Sequence, residues 1–294
     1  MKLLITGSNG LLGQKIVNQC ISRKIHFIAS SIGENRNSIC PIENYCSLDI
    51  RDMNSIKEVI QKHQPTHVVH TAALTNVDQC ELNPIDCKEL NVDATHKLWL
   101  VCKENGIHFQ LLSTDFIFDG IKGNYSETDL PNPLSIYAQS KVDAEKLLIN
   151  DLNKNWSIVR TIIVYGQGEN LSRTNIICWA KESLANQQTM SIIDDQFRAP
   201  TWADDLAWAC IQICFLNKTG IYHICGPETM SVYEIVCRVA KYFNFDIGLI
   251  KRTDSSTLNQ PAKRPPKTGF DLSKSMKELG YKPKSLEQTL GLLK

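Results

Sequence analysis

The feature that most restricts this chain is a run of three glycines, Gly7, Gly10 and Gly13, set three apart. They follow an apolar run, Lys2–Thr6, and precede a helical pattern in which Leu12, Ile16 and Cys20 share a stripe. A G-x-x-G-x-x-G turn between a strand and a helix has few uses. Gly7 allows the tight turn, Gly10 lets backbone approach a pyrophosphate, and Gly13 lets the helix pack close to the strand. Free amides at the helix start then offer partial positive charge to phosphate. The spacing predicts dinucleotide binding on the first βαβ unit.

The pattern that follows agrees. Short apolar runs at His26–Ser31, Cys46–Ile50, Thr66–His70, His108–Ser113 and Ser157–Val164 read as strands. Helical patterns at Gln14–Ile21, Met53–Lys62, Pro84–Glu104 and Ser135–Asp151 alternate with them. This order predicts an α/β fold, a Rossmann-type doubly wound parallel sheet with helices on both faces. After Tyr165-Gly166 the alternation loosens and prolines punctuate short mixed elements. We therefore expect an NAD(P)-binding domain over 1–166, joined by the segment 204–220, and a smaller mixed α/β substrate lobe over 167–294.

Composition narrows the partners. With 32 Lys+Arg against 31 Asp+Glu the net charge is +1, which argues against a nucleic-acid surface. The longest apolar stretch, Leu206–Leu216, is far short of the roughly 20 residues a membrane span needs. The N-terminal segment lacks the unbroken apolar core of a signal peptide, so the expected address is cytoplasmic. The 11 cysteines form no C-x-x-C pair, and most lie in apolar segments as reduced core thiols. His63, His67 and His70 are close in sequence, but Pro65 breaks any helix between them and no metal site is expected. No G-x-S-x-G elbow marks a hydrolase.

An NAD-binding unit ends its second strand on an acidic residue that holds the ribose 2′-OH. Here that strand ends on Ala29-Ser30-Ser31, and Arg36 lies just beyond. Ser30 and Arg36 suit a 2′-phosphate, so NADPH is favoured, with NADH still possible. Asp49 and Ile50 close the third strand and are candidates at the adenine.

Tyr137 and Lys141 form a Y-x-x-x-K pair inside a predicted helix, on one face. A phenol with an ordinary pKa near 10 exchanges protons poorly at neutral pH, and a neighbouring ammonium lowers that value. Thr114 closes the strand Leu112-Ser113-Thr114, at the carboxyl edge where ligands of such sheets sit. Its hydroxyl is a second candidate donor to a substrate oxygen.

With Ser113-Thr114-Asp115-Phe116-Ile117-Phe118-Asp119-Gly120, Arg160-Thr161, Val164-Tyr165-Gly166, Asp195-Gln196, Pro200-Thr201 and Arg264-Pro265, the chain resembles the extended short-chain dehydrogenase/reductase family. The likeness is greatest to its dTDP-4-dehydrorhamnose reductase branch and covers nearly the whole chain. The resemblance implies NAD(P)H-dependent reduction at C4 of a nucleotide-linked 4-keto-6-deoxy-sugar, as in dTDP-rhamnose synthesis. It implies that Tyr137 is the proton donor, Lys141 its partner and a ribose ligand, and Thr114 the hydroxyl that orients the carbonyl. Asp115 would contact the sugar, Gly10, Leu11 and Leu12 the pyrophosphate, and Thr71, Ala72 and Ala73 the nicotinamide side. Arg198 and Arg264 are candidate diphosphate ligands, because guanidinium matches phosphate, or else they form ordinary ion pairs.

The chain departs from the branch in three places. Phe116 stands where these reductases usually carry Tyr, Ile163 where many carry a sugar-contacting Trp, and Arg198 where a small residue is usual. The motifs therefore leave the sugar open. The chain is also similar to the regulatory subunit of methionine adenosyltransferase, which binds NADP on this fold and has a like Arg-x-Pro-Thr segment. An epimerase of the same superfamily is a further alternative, and a dehydratase is disfavoured by Phe116 after Asp115. Relatives pair through helices of the main sheet, which makes a homodimer a possibility.

Overall fold

Apolar runs with side chains buried on both faces become the centre of the molecule. The computed structural model describes residues 1–293. Its first half runs β1 (Lys2–Thr6), α1 (Leu11–Ser22), β2 (His26–Ser31), β3 (Tyr45–Ser47), α2 (Met53–His63), β4 (His67–His70), α3 (Val77–Leu82), α4 (Pro84–Lys88), α5 (Ala94–Glu104), β5 (His108–Thr114), β6 (Gly123–Tyr125), α6 (Ile136–Ile149) and β7 (Trp156–Thr161). Then follow β8 (Val164–Tyr165), α7 (Ile176–Ala185), β9 (Met190–Ile193), β10 (Phe197–Arg198), β11 (Thr201–Trp202), α8 (Ala203–Phe215) and β12 (Gly220–Ile224). The chain closes with β13 (Met230–Ser231), α9 (Val232–Tyr242), β14 (Ile250–Thr253), β15 (Thr268–Phe270), α10 (Ser273–Leu279) and α11 (Leu286–Leu290).

Seven strands form one parallel sheet in the order β12-β7-β5-β4-β1-β2-β3. Alternate residues of each strand feed opposite layers. Leu3, Ile5 and Val69 join a core with α1 and α8, whereas Leu4, Val68 and Phe109 join another with α2 and α5. The order reverses between β1 and β4, the crevice where such sheets bind ligands. The fold is the expected Rossmann-type one.

The second half is interleaved with the first. Helix α8 packs on α1, and β12 extends the main sheet to Ile224. Two-stranded pairs tie the rest together, among them β15 with β6 and β10 with β13. A separate core under α7, α9 and α11 includes Leu184, Ile235 and Leu290.

Several boundaries differ from the sequence reading. The third strand is Tyr45–Ser47; past Leu48 the chain enters a tight bend in which the Arg51 amide and guanidinium both donate to the Asp49 carboxylate. The helix expected over 84–104 contains a π-helical segment, Glu89–Asp93. There Asn91 turns inward, accepting from the Leu74 amide at 2.8 Å and donating to the Leu74 carbonyl at 3.0 Å. Helix α3, capped by Asn76, had no periodic signal in its six residues.

Candidate active site

The carboxyl edges of β1, β4 and β5 open into a cleft of about 1010 Å³. Gly7, Gly10, Leu11, Leu12 and Gly13 form its floor at one end. Gly7 takes a φ of +71°, and a Cβ there would stand 2.6 Å from the Ala72 nitrogen. A Cβ on Gly13 would stand 2.4 Å from the Gly7 carbonyl oxygen. The first turn of α1 carries no acidic residue, and Gly10 supplies no side-chain cap. Its free amides therefore remain available to an anion. These features fit the diphosphate of a dinucleotide.

Asn9 shapes the adenosine end. Its Oδ1 accepts from the Arg36 amide at 2.9 Å and its Nδ2 donates to the Glu34 carbonyl at 2.8 Å. Arg36 and Ile50 line the cleft, together with Ser31. Ser30 does not: it is buried in the sheet with its hydroxyl on the Ile5 carbonyl. Strand pleat alternates neighbours between faces, and that puts Ser31 rather than Ser30 at the edge. Asp49 is also outside the lining, held by Arg51 at 2.7 Å, so the adenine contact assigned to it is not seen. Among the described residues, the carboxylates lining the cleft are Asp78 and Asp115.

Thr71, Ala72 and Ala73 form the wall next to Gly7. The Thr71 hydroxyl donates to the Thr6 carbonyl at 2.7 Å. His70, just before them, lies between Thr6 and Thr95, and burial drives its pKa down to about 3. It is a neutral core residue, and His67 likewise packs beside Thr66 and Asn217.

Thr114, Tyr137 and Lys141 converge on the middle of the cleft. Ser135 caps α6 by accepting from the Ala138 amide, which aims Tyr137 and Lys141 at the edge of β5. Burial raises the Tyr137 phenol well above its ordinary value, against a hydrogen bond with Thr114 that lowers it. Burial pushes Lys141 down to about 8, opposed by Glu145 one turn along the helix. The lowering of the phenol that sequence reasoning expected is thus outweighed by burial. Glu145 is itself paired with Arg160, at 2.6 Å and fully enclosed. Breaking a pair of that kind from one side costs about 3–5 kcal/mol.

The Thr114 hydroxyl donates to Asp115 Oδ1 at 3.0 Å and accepts from the Phe116 amide at 3.2 Å. Its one proton is therefore committed to Asp115 rather than free for a substrate oxygen. Asp115 Oδ2 accepts from Thr268, so both oxygens meant for a sugar are engaged. Arg198 is a further departure. It does not line the cleft but lies behind Asp115, only 2% exposed, with its nitrogens on the carbonyls of Phe197, Pro265 and Pro266 and on Gln196. A guanidinium so enclosed has no face left for a diphosphate.

Arg264 and Ile163 do line the cleft. Arg264 pairs with Asp78 at 2.7 Å. Ile163 is held at a φ of +26°, an uncommon backbone for a β-branched residue. The strap 166–175 crosses the opening. At one end Glu169 accepts from the Ser38 amide and hydroxyl, and its backbone bonds Gln14 at 2.7 and 2.8 Å. At the other, Arg173 donates to the Thr75 hydroxyl at 2.7 Å. Asn9, Asp78, Glu145 and Arg173 escaped the sequence reading, since each matters through a partner distant in sequence. Cys80 and Cys87, read only as core thiols, back Tyr137 directly.

Three comparisons place the chain. Residues 1–293 match the model of the RmlD substrate binding domain family. A probable low-salt glycan biosynthesis reductase of Haloferax volcanii is 29% identical over 100% of this chain and 97% of its own length. Methionine adenosyltransferase 2 subunit beta of Bos taurus is 28% identical over 93% of this chain and 81% of its own. The crystal structure of a dTDP-4-dehydrorhamnose reductase from Clostridium acetobutylicum superposes with a TM-score of 0.86, at 25% identity, covering 99% of this chain and 97% of that one.

Proposed function

This chain belongs to the RmlD substrate binding domain family, as an oxidoreductase of the NAD(P)-binding Rossmann type, and we propose that it reduces the C4 keto group of a nucleotide-linked 6-deoxy-4-keto-sugar with NADPH. One observation carries the reading. A backbone cradle for a dinucleotide and a Thr114–Tyr137–Lys141 cluster face the same cleft, one at its end and one at its middle.

A reduced nicotinamide, when bound, supplies the hydride that a carbonyl carbon accepts. The chain's own residues do the rest. Leu11 and Leu12 present α1 amides to the diphosphate, which approaches over Gly10, whose own amide closes the turn on the Gly7 carbonyl, and Thr71 to Ala73 wall the nicotinamide side. Tyr137 Oη delivers a proton to the carbonyl oxygen as negative charge develops there. Its raised pKa keeps the proton loaded throughout the neutral range. Lys141 holds the ribose beside it, and Thr114 holds the phenol in place. Arg36, at an adenosine end where no carboxylate lines the cleft, receives the 2′-phosphate. Arg264 and Asp78 fix the far wall, where the sugar nucleotide enters.

The test is oxidation of NADPH followed at 340 nm with dTDP-4-dehydrorhamnose, with NADH in parallel. Turnover that prefers NADPH supports the reading. Absence of turnover with NADPH binding intact would remove this substrate. A role as a subunit of a larger enzyme, alongside turnover, is supported by the likeness to methionine adenosyltransferase 2 subunit beta. Its test is co-purification with a methionine adenosyltransferase catalytic chain.

A further inference from the structure

We propose that Arg198 is a positioning residue, which holds Asp115 as the acceptor of both the Thr114 and the Thr268 hydroxyls and thereby fixes Thr114 against Tyr137. The inference rests on the reductase reading for its kinetic part. Its structural part stands on the contacts themselves.

Arg198 joins three segments that are remote in sequence. Its Nη2 donates to the Pro265 carbonyl at 2.6 Å and to Gln196 Oε1 at 3.1 Å. Its Nη1 donates to the Phe197 carbonyl at 2.7 Å and the Pro266 carbonyl at 3.3 Å. With four donors spent on the second half of the chain, Nε is left facing Asp115 Oδ2 at 3.9 Å. The guanidinium also lies over the Phe116 ring, 5.4 Å from its centroid, and that ring meets Tyr137 edge-on at 6.2 Å. Arg198 therefore touches both residues that follow Thr114, and it is anchored by backbone that cannot swing away.

The charge of Asp115 decides what Thr114 can do. An ionised carboxylate accepts from two hydroxyls at once, whereas a protonated one must give up an acceptor position. Thr114 reaches Asp115 from β5, Arg198 from β10, Thr268 from β15 and Tyr137 from α6, and Cys225 faces it after β12. Arg198 is the only cation among these groups. It is also the counter-charge that opposes the penalty of burying Asp115. Without it no counter-charge offsets the burial that already raises the Asp115 pKa, the carboxyl takes up a proton at higher pH than in the wild type, and one of the two hydroxyls loses its partner.

The experiment compares wild type, Arg198→Lys, Arg198→Met, Asp115→Asn and the double variant Arg198→Met/Asp115→Asn. The kinetic series follows kcat and KM between pH 5 and 9 with NADPH and dTDP-4-dehydrorhamnose, with NADPH affinity by fluorescence titration. In Arg198→Met, kcat is expected to fall about tenfold at the acid end and recover as pH rises, with NADPH affinity within twofold of wild type. Asp115→Asn, with only one acceptor oxygen, keeps the low rate at every pH, and Arg198→Lys lies near wild type. A wild-type pH profile in Arg198→Met, or a loss equal at all pH values, overturns the proposal.

The thermal series needs no substrate. Raising the folded pKa of Asp115 makes the folded state prefer the proton, so stability is lost as pH rises through that pKa. The Tm deficit of Arg198→Met should therefore grow from pH 5 to pH 8, opposite to the trend in kcat. The double variant should show a deficit independent of pH. If wild type does not turn the sugar over, the reductase reading fails while this series still judges the coupling, and a pH-independent deficit in the single variant rejects it.

Discussion

The two ends of the cleft are built from different materials. The dinucleotide end is backbone: glycines at which a Cβ would stand 2.4 and 2.6 Å from neighbouring backbone atoms, and helix amides without a cap. The substrate end is side chains paired across the chain, Arg198 with Asp115, Arg264 with Asp78, and Glu145 with Arg160. Backbone recognition tolerates almost no change of shape but needs no charge. Side-chain recognition stores buried charge, and it exchanges stability for control over protons.

This contrast has consequences that mutation can break. The largest effect is expected for Tyr137→Phe, which removes one oxygen from the side-chain end. Turnover should fall roughly a thousandfold, while NADPH affinity by fluorescence titration stays within about twofold. Loss of cofactor affinity instead would mean that the two ends are not separable. Next comes Lys141→Met. The folded pKa of Lys141 lies near 8, below its ordinary value, so the protonated lysine destabilises the fold below pH 8. That cost fades as pH rises through about 8 to 10, where both states become neutral. Lys141→Met should therefore unfold at higher denaturant at pH 7, by up to about 3 kcal/mol, with the gain vanishing near pH 10. Turnover should be lost at the same time.

Gly13→Ala probes the other end. The added carbon meets the Gly7 carbonyl at 2.4 Å, and opening that gap moves the loop. Calorimetry should show NADPH binding weakened about a hundredfold, and NADH by the same factor, since the damage precedes any base or phosphate contact. Arg36→Ala sharpens the comparison with the smallest effect. Arg36 is a cation lining a backbone-built end, and its loss should weaken NADPH about tenfold and leave NADH unchanged. Equal losses for the two cofactors would remove Arg36 from the 2′-phosphate site.

The same contrast explains how much was legible in the sequence. The glycine turn, the buried strands and the Tyr137–Lys141 spacing are local, and local periodicity reports them. Gly7 and Gly13 lie six residues apart and define their own geometry. Arg198 could be either a diphosphate ligand or an ion-paired residue by sequence, because its partners Asp115, Pro265 and Pro266 lie about seventy or more residues away. No spacing announces such a convergence. Ser30 and Asp49 failed for a smaller reason. The pleat and a tight bend decide which of two neighbours meets the cleft, and a one-residue shift reverses the answer. The π-helical segment was hidden because Asn91 serves the loop at Leu74 rather than its own helix.

The strap 166–175, tied to Ser38 at one end and to Thr75 at the other, carries a kinetic consequence. Leu171 and Arg173 line the cleft from this strap, and Glu169 ties it to Ser38 and Gln14. If a dinucleotide occupies the cleft beneath the strap, its release is expected to be timed by the opening of these few hydrogen bonds, and Glu169→Gln should speed NADPH dissociation in a stopped-flow chase.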